Sequence, residues 1–239
     1  MPWRPAWELG MRSGRDRPAP RGSRSKASVS TKLTPTSAVI PERLLDGFPS
    51  LSPDQSWGHW WRIHWDGLGP WFFASDDGSR AESKVGRFDL PLPLGTCYVT
   101  EQPLPGMAEH LRTPDVSARE AQQSANQRAM SAMPLNPWFG KPLADFASPS
   151  VAKQGGPPDV ALLTRAEGRL WALAAREAGY HGIRYRLGQD PCRRIGLALF
   201  CEYGERHLPF HSTVALPVRP RNELLALFGT YRGDDPQAA

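Results

Sequence analysis

The stretch HWWRIHWD, residues 59–66, decides the interpretation of the fold, because it combines strand periodicity with the densest aromatic cluster in the chain. A period of two places its side chains in two sets on opposite faces of a strand: Trp61, Ile63 and Trp65, and Trp60, Arg62 and His64. A guanidinium among so many indoles needs an acceptor, because an unpaired buried charge is costly. Two interpretations of Arg62 stay open: a cation–π pair with Trp60 at a sheet edge, and a ligand-binding role.

Further elements on the C-terminal side of this strand predict an α+β fold. Thr164 and Glu167 form a T-x-x-E capping box that opens a helix, and Gly179 ends it. An Ala/Gln-rich piece at 117–133 has the composition of a helix. The other predicted strands lie at 96–100, 182–185, 195–201 and 212–218, and short helices at 103–112 and 221–228. Strands and helices do not alternate regularly, so we expect a mixed sheet with long loops.

The N-terminal segment differs in charge from the rest of the chain. Residues 1–32 contain eight Lys and Arg against two acidic residues, and the whole chain of 239 residues has a net charge of +5. The remainder is therefore close to neutral, and a basic nucleic-acid-binding face on the domain is unsupported. We predict a disordered basic leader at 1–45 and a folded domain at 50–239. Contact of the leader with nucleic acid or anionic lipid stays open as a further hypothesis.

Cysteine and histidine spacing gives no metal motif. The three cysteines are odd in number and show no C-x-x-C spacing, and the six histidines show no H-x-x-x-H pattern. Reduced thiols and no metal are expected, in keeping with a cytoplasmic protein. No apolar run approaches the ~18 residues of a membrane span, and no secretory signal is apparent, so we predict no membrane association.

Four residues in the first half of the domain carry a chemical argument. Arg62 and Arg87 supply guanidinium forks, which match phosphate oxygens. The ring of Tyr98 is suited to stacking on a planar leaving group. The carboxylate of Glu109 is suited to stabilising an oxocarbenium-like transition state. Each residue also has an ordinary structural interpretation: a loop or sheet-edge arginine, strand packing, an exposed helix position. Together they fit the cleavage of a pyrophosphate-linked nucleotide.

The order and context of these residues resemble the RES domain family. The resemblance rests on WRIH, GRFDLPLPLGTCYVT, PGMAEHL, AAREAGYHGIRY and IGLALF, and it spans residues 58–202. It implies an ADP-ribosyltransferase-like mixed sheet core with flanking helices and long loops. Members of the family consume NAD by phosphorolysis or hydrolysis, or transfer ADP-ribose to a protein. Many are bacterial toxins neutralised by an Xre-like antitoxin encoded beside them.

The resemblance assigns roles position by position. Glu109, Arg62 and Tyr98 become the catalytic set, and Arg62, Arg87, Tyr98 and Tyr185 the residues that bind NAD, with Arg62 on a strand lining the nucleotide cleft. One position departs from the family pattern: Leu187 stands where the family commonly has a serine, and leucine forms no side-chain hydrogen bond.

Two function classes follow from this departure. The first is an NAD-degrading toxin that cleaves the nicotinamide–ribose bond, with phosphate, water or a protein as acceptor. The second is a catalytically inactive RES-fold module that binds a nucleotide or a protein partner. The acceptor and the oligomeric state, a homodimer included, stay open.

Overall fold

The computed structural model describes residues 46–80, 85–103, 127–160, 163–188 and 193–215. The described residues contain one α-helix, α1, at Arg165–Glu177. Their strands are β1 Ser50–Leu51, β2 His59–Trp65, β3 Phe72–Phe73, β4 Ser75–Asp76, β5 Leu90–Pro91, β6 Leu94–Thr100, β7 Arg128–Pro134, β8 Leu143–Asp145, β9 Gly182–Arg186, β10 Ile195–Glu202, β11 Gly204–Glu205 and β12 Ser212–Ala215. The leader, the segment 104–126 that includes Glu109, and the helix predicted at 221–228 lie outside the described residues.

Eight strands form one mixed sheet in the order β1-β8-β9-β10-β6-β2-β7-β12. The β8–β9 pair is parallel, and the other pairs of this sheet are antiparallel. β2 is joined to β6 through the pair Trp61–Thr100, whereas it pairs with β7 along its whole length. The sheet with a helix against it confirms the predicted α+β class, and β12, which falls within the strand predicted at 212–218, lies at an edge of the sheet.

Cross-strand pairing fixes which side chains share a face of the sheet, because directly paired residues point to the same side. Trp61 pairs with Thr100, and Tyr98 lies two residues earlier on β6. Trp61, Ile63 and Trp65 therefore share a face with Tyr98, and the set containing Arg62 lies on the other face. The predicted alternation of β2 is thus confirmed.

Each face of the sheet has its own hydrophobic core. We call the first the helix-side core; it packs beneath α1 and is built mainly from Phe88, Leu90, Phe146, Trp171, Ile183, Tyr185, Leu187, Ala198 and Phe200. We call the second the tryptophan-side core; its main members are Trp60, Trp71, Phe73, Cys97, Val99, Met133, Leu135, Trp138, Leu143, Leu197 and Leu199. Successive residues of β6 and β10 alternate between the two cores, which is why both strands are buried throughout most of their length.

Helix α1 begins with the predicted capping box. The Thr164 side chain accepts a hydrogen bond from the Glu167 amide at 3.2 Å, and the Glu167 carboxylate accepts one from the Thr164 amide at 2.8 Å. The sequence predicts one apolar face on this helix, made of Leu170, Trp171, Ala174, Ala175 and Ala178, and of these Trp171, Ala174 and Ala175 are buried against the sheet. Leu170, predicted on the same face, is 51% exposed instead. The buried stripe is therefore narrower than the hydrophobic pattern suggested.

The helix predicted at 117–133 is wrong over its last residues, which form β7. This strand pairs with β2 on one side and with β12 on the other, so its backbone donors and acceptors are used in the sheet. Ala129, Met130 and Met133 favour a helix intrinsically, but burial between two strands outweighs that local preference.

Two further findings bear on function. None of the helices in the described residues has the length and apolar character that a membrane crossing requires. The same residues contain no group of three or more His, Cys, Asp and Glu side chains arranged to hold a metal ion.

Candidate active site

Arg62 is buried within the sheet and is held by neutral acceptors. It is 9% exposed. Its Nη1 donates to the Pro70 carbonyl and lies 2.9 Å from Cys97 Sγ, and its Nη2 donates to the Phe72 carbonyl at 2.6 Å. Burial raises the pKa of Cys97 to about 11, so the thiol beside the guanidinium stays protonated at neutral pH. Arg62 therefore links the segment that follows β2 to strand β6, because it bonds to the Pro70 and Phe72 carbonyls and contacts Cys97.

Arg87 lies in the turn before β5 and is half-buried beneath the start of α1. Its Nη1 donates to the Val160 carbonyl at 3.1 Å and to the Leu163 carbonyl. The helix approaches so closely that a Cβ at Gly168 would lie 2.5 Å from Arg87 Cγ. Any larger residue at Gly168 would push α1 off this arginine.

Tyr98 closes the same turn through its hydroxyl group. The hydroxyl accepts a hydrogen bond from the Phe88 amide at 2.8 Å and donates one to Asp89 Oδ1 at 2.9 Å. Asp89 also accepts from the Gly86 amide at 2.8 Å and pairs with Arg80 at 3.3 Å. Burial raises the pKa of Asp89, and burial together with the Asp89 charge raises the pKa of Tyr98. The GRFD turn is thus held to β6 by a buried polar network.

Tyr185 and Leu187 are buried members of the helix-side core. The Tyr185 ring meets the Phe88 ring edge-on, with centroids 4.9 Å apart. Leu187 follows β9 and is 0% exposed in the helix-side core. Its Cδ2 and the Tyr185 ring both lie against Gly196, where a Cβ would come within 3.0 Å of each. A fully buried apolar side chain therefore stands at the position where the RES resemblance implies a serine.

The structure brings together some of the residues predicted for the site. Arg87, Tyr98 and Tyr185 gather around Phe88 on the helix side of the sheet. Arg62 lies on the opposite face, where it contacts Cys97, the neighbour of Tyr98 along β6. The structure therefore does not join Arg62 to the other three.

The fold is similar to that of a solved toxin–antitoxin protein. A chain of the crystal structure of the M. tuberculosis MbcT-MbcA toxin-antitoxin complex matches with a TM-score of 0.53 and 16% sequence identity. The match covers 74% of the present chain and 92% of that chain. No protein-family model matches the sequence, and no curated protein does so either. At this identity the comparison establishes the fold alone.

Sequence reasoning did not anticipate a cavity on the Arg62 face of the sheet. It has a volume of about 390 Å³ and is lined by Trp57, His59, Trp60, Glu101 and Arg184. Trp57 stacks on Trp60 with ring centroids 5.7 Å apart, and Arg184 is paired with Asp145 at 2.8 Å. The two-residue alternation of β2 correctly predicted that Trp60 and Trp61 lie on opposite faces of the sheet. No local sequence pattern predicts that β9, which carries Arg184, lies beside this cavity.

His64 forms a buried hydrogen-bonded chain on the same face. Its Nε2 lies 2.8 Å from Ser131 Oγ, which lies 2.7 Å from Thr213 Oγ1, and its Nδ1 lies 3.0 Å from the Trp65 carbonyl. An Nδ1–H donor to that carbonyl leaves Nε2 to accept from Ser131, so the neutral imidazole satisfies every contact. Burial lowers the pKa of His64 below 6.5.

We expect this histidine to make the fold acid-sensitive. Its folded-state pKa is depressed, so its stabilising contribution is present above pH 6.5 and is lost as the pH falls through the folded value. Between pH 6.5 and the folded-state pKa, one histidine of this kind lowers the free energy of unfolding by up to ~1.4 kcal/mol for each unit that the pH falls. Urea unfolding at several pH values should give a shallower acid slope for His64→Gln than for the unsubstituted chain. The exposed His207 provides the control, and equal slopes for His64→Gln and His207→Gln would contradict the prediction.

Proposed function

We propose that the chain is a toxin-type enzyme that cleaves the nicotinamide–ribose bond of NAD. The observation that carries the proposal is the gathering of Arg87, Tyr98 and Tyr185 around Phe88 in a fold similar to a toxin–antitoxin protein. These three residues occupy the RES motif positions. Because fold alone does not fix function, the proposal depends on these side chains as well as on the fold similarity.

The proposed reaction transfers ADP-ribose from nicotinamide to an acceptor oxygen. The bond between the ribose anomeric carbon and the nicotinamide nitrogen breaks, and its electron pair neutralises the pyridinium. A new bond forms from the anomeric carbon to an oxygen of phosphate, water or a protein, and an acceptor proton is released when the acceptor carries one. Glu109 would stabilise the positive charge that develops on the ribose.

The contacts of the described residues suggest how the site is kept in shape. Tyr98 is fixed by two hydrogen bonds, so its ring has a defined orientation, and its proposed role is to stack on the nicotinamide of bound NAD. Arg87 ties the GRFD turn to the start of α1. For Arg62, bonded to two carbonyls and a thiol, we propose a positioning role that holds β2 and β6 together. A diphosphate clamp at Arg62 would require these contacts to break.

The partner that we propose is a small antitoxin protein of the Xre-like, helix-turn-helix type. This follows from the RES resemblance and from the neighbouring structure, which is a toxin–antitoxin complex. A gene for such a protein beside the gene for this chain would support the assignment. Co-expression offers a direct test, because the antitoxin should relieve growth inhibition caused by the chain alone.

The decisive experiment measures nicotinamide release from NAD by the purified full-length chain, with and without inorganic phosphate. Release that requires phosphate identifies phosphorolysis. Release without phosphate identifies hydrolysis or self-modification, and mass spectrometry of the protein separates these two. No release from a chain shown by circular dichroism to be folded would overturn the enzymatic proposal.

The second candidate is a catalytically inactive binding module of the same fold. The burial of Leu187 favours it, because an apolar side chain in the serine position offers the substrate ribose no hydrogen bond. Such a module would bind NAD or ADP-ribose without turnover. Calorimetric binding of NAD with no nicotinamide release would identify it.

A further inference from the structure

Arg128, the first residue of β7, is a buried arginine in which two of the three guanidinium nitrogens have no hydrogen-bond acceptor. It is 7% exposed, and its Nε and Nη1 have no hydrogen-bond acceptor. Arg62 and Arg87, by contrast, each donate to two or more acceptors within the described part of the chain. Buried donors in folded proteins are nearly always paired, so a guanidinium left in this state calls for an explanation.

Among the described residues, Arg128 contacts an aromatic ring and forms no ion pair. Its Cζ lies 3.8 Å from the centroid of the Trp65 ring, with which it forms a cation–π pair. Burial lowers the pKa of Arg128 to about 10, so the group keeps its charge at neutral pH. The salt bridges found among residues 46–80, 85–103, 127–160, 163–188 and 193–215 do not include it. A positive charge is therefore held out of water without an anion.

The position of Arg128 relates it to the candidate active site. It pairs directly with Trp65 across β2 and β7, so the two side chains share a face. That face is the one that carries Tyr98 on β6, whereas Arg62 lies on the other. Trp65 is 42% exposed, so the pair lies at the margin of the protein. The guanidinium itself is buried, so an anion would have to displace the side chains around it to reach Nε and Nη1.

We propose that Arg128, seated on the Trp65 ring, is an oxyanion-binding subsite for a phosphate group. Guanidinium donors form short, charge-assisted hydrogen bonds with phosphate oxygens, and those bonds would satisfy the unused donors and neutralise the buried charge. The Trp65 ring fixes the plane of the guanidinium and so reduces the entropy lost on binding. This inference rests on the proposed function: the phosphate would belong to the nucleotide or be the free ion that accepts ADP-ribose.

The test compares the binding of two probes, ADP-ribose and inorganic phosphate, to full-length variants by calorimetry. We expect Arg128→Met to bind at least one probe at least about 10-fold more weakly, the effect of losing a charged hydrogen bond. Lys141→Gln is the matched control, because Lys141 is an exposed cation over a tryptophan ring, and it should bind as the unsubstituted chain does. Weakening for ADP-ribose assigns the subsite to the nucleotide, and weakening confined to inorganic phosphate assigns it to the free ion.

Stability measurements separate a binding role from a packing role. Replacing an unpaired buried charge by an apolar side chain of similar length should leave the melting temperature unchanged or raise it. If Arg128→Met fails to fold, Arg128→Lys keeps the charge but loses the planar donors, and weaker binding by that variant carries the test.

Two results would overturn the inference: equal binding by Arg128→Met and the unsubstituted chain, or no binding of either probe by the unsubstituted chain. Failure of the inference is distinguishable from failure of the proposed function, because nicotinamide release is measured separately. Release by the unsubstituted chain together with unimpaired binding by Arg128→Met would leave the function standing without the subsite. Arg128-dependent binding without release would leave the subsite standing and remove the enzymatic activity.

Discussion

The Glu109→Gln chain is expected to release nicotinamide from NAD roughly 100- to 1,000-fold more slowly than the unsubstituted chain. This is the loss seen when one preorganised group that stabilises transition-state charge is removed. The amide keeps the size of the carboxylate but not its charge, so it no longer stabilises the ribosyl cation. Glu109 lies outside the described residues, and its role comes from the RES resemblance.

A matched control is available in the same protein. Glu177 is exposed at the end of α1, and Glu177→Gln makes the identical chemical change away from the candidate site. Its rate should equal that of the unsubstituted chain, and both variants should give the same thermal melt. Full activity of a folded Glu109→Gln chain would remove Glu109 from the mechanism.

Leu187→Ser is expected to lower the free energy of unfolding by roughly 3–5 kcal/mol. The leucine is 0% exposed, so the change leaves a cavity in the helix-side core and buries a hydroxyl group there. Urea unfolding measures the loss. Leu170→Ser is the control, because Leu170 is 51% exposed on α1 and its replacement should change stability by less than about 1 kcal/mol. Equal losses for the two variants would contradict the burial of Leu187.

The same substitution tests whether the missing serine limits catalysis. Leu187→Ser and Leu187→Ala leave a similar cavity, so the ratio of their rates isolates the hydroxyl group. A hydroxyl group that reaches the substrate ribose would make nicotinamide release about 10-fold faster for the serine variant, the effect of one hydrogen bond. The assay is run at a temperature where both variants remain folded. A ratio of one would show that the hydroxyl group does not contribute at this position.

Local patterns succeeded where a short range of residues contains the whole physical cause. The two-residue alternation of 59–65 predicted β2 and its two faces, and the Thr164–Glu167 capping box predicted the start of α1. The apolar run at 195–201 predicted β10. Each is set by backbone geometry and by hydrogen bonds between near neighbours.

Local patterns failed where distant strands determine the outcome. The Ala- and Met-containing sequence of β7 resembles a helix by composition, yet it lies between β2 and β12. Leu170 is likewise 51% exposed, because which positions of α1 are buried depends on the elements that pack against the helix.

For the candidate site, too, the sequence predicted some features and the tertiary structure decided the others. The residue types of Arg87 and Tyr98 and the RES resemblance for Tyr185 made them candidates, and the tertiary structure brings Tyr98 and Tyr185 to Phe88, the neighbour of Arg87 in the sequence. The partners of Arg62 could not be predicted, because Cys97 lies 35 residues away and the two carbonyls belong to Pro70 in a turn and to Phe72 in the short strand β3. The lack of an acceptor for Nε and Nη1 of Arg128 could not be predicted either, because it depends on all the residues that surround this side chain in the folded structure.

The sequence by itself determined the α+β class, the alternation of β2 and the helix cap, since these depend on neighbours within a few residues. Only the tertiary structure decided which guanidinium groups are already satisfied, because strand order brings carbonyls to Arg62 and Arg87 and none to the Nε and Nη1 of Arg128. A buried charge is costly unless acceptors surround it, and those acceptors come from parts of the chain that meet only when the sheet has formed.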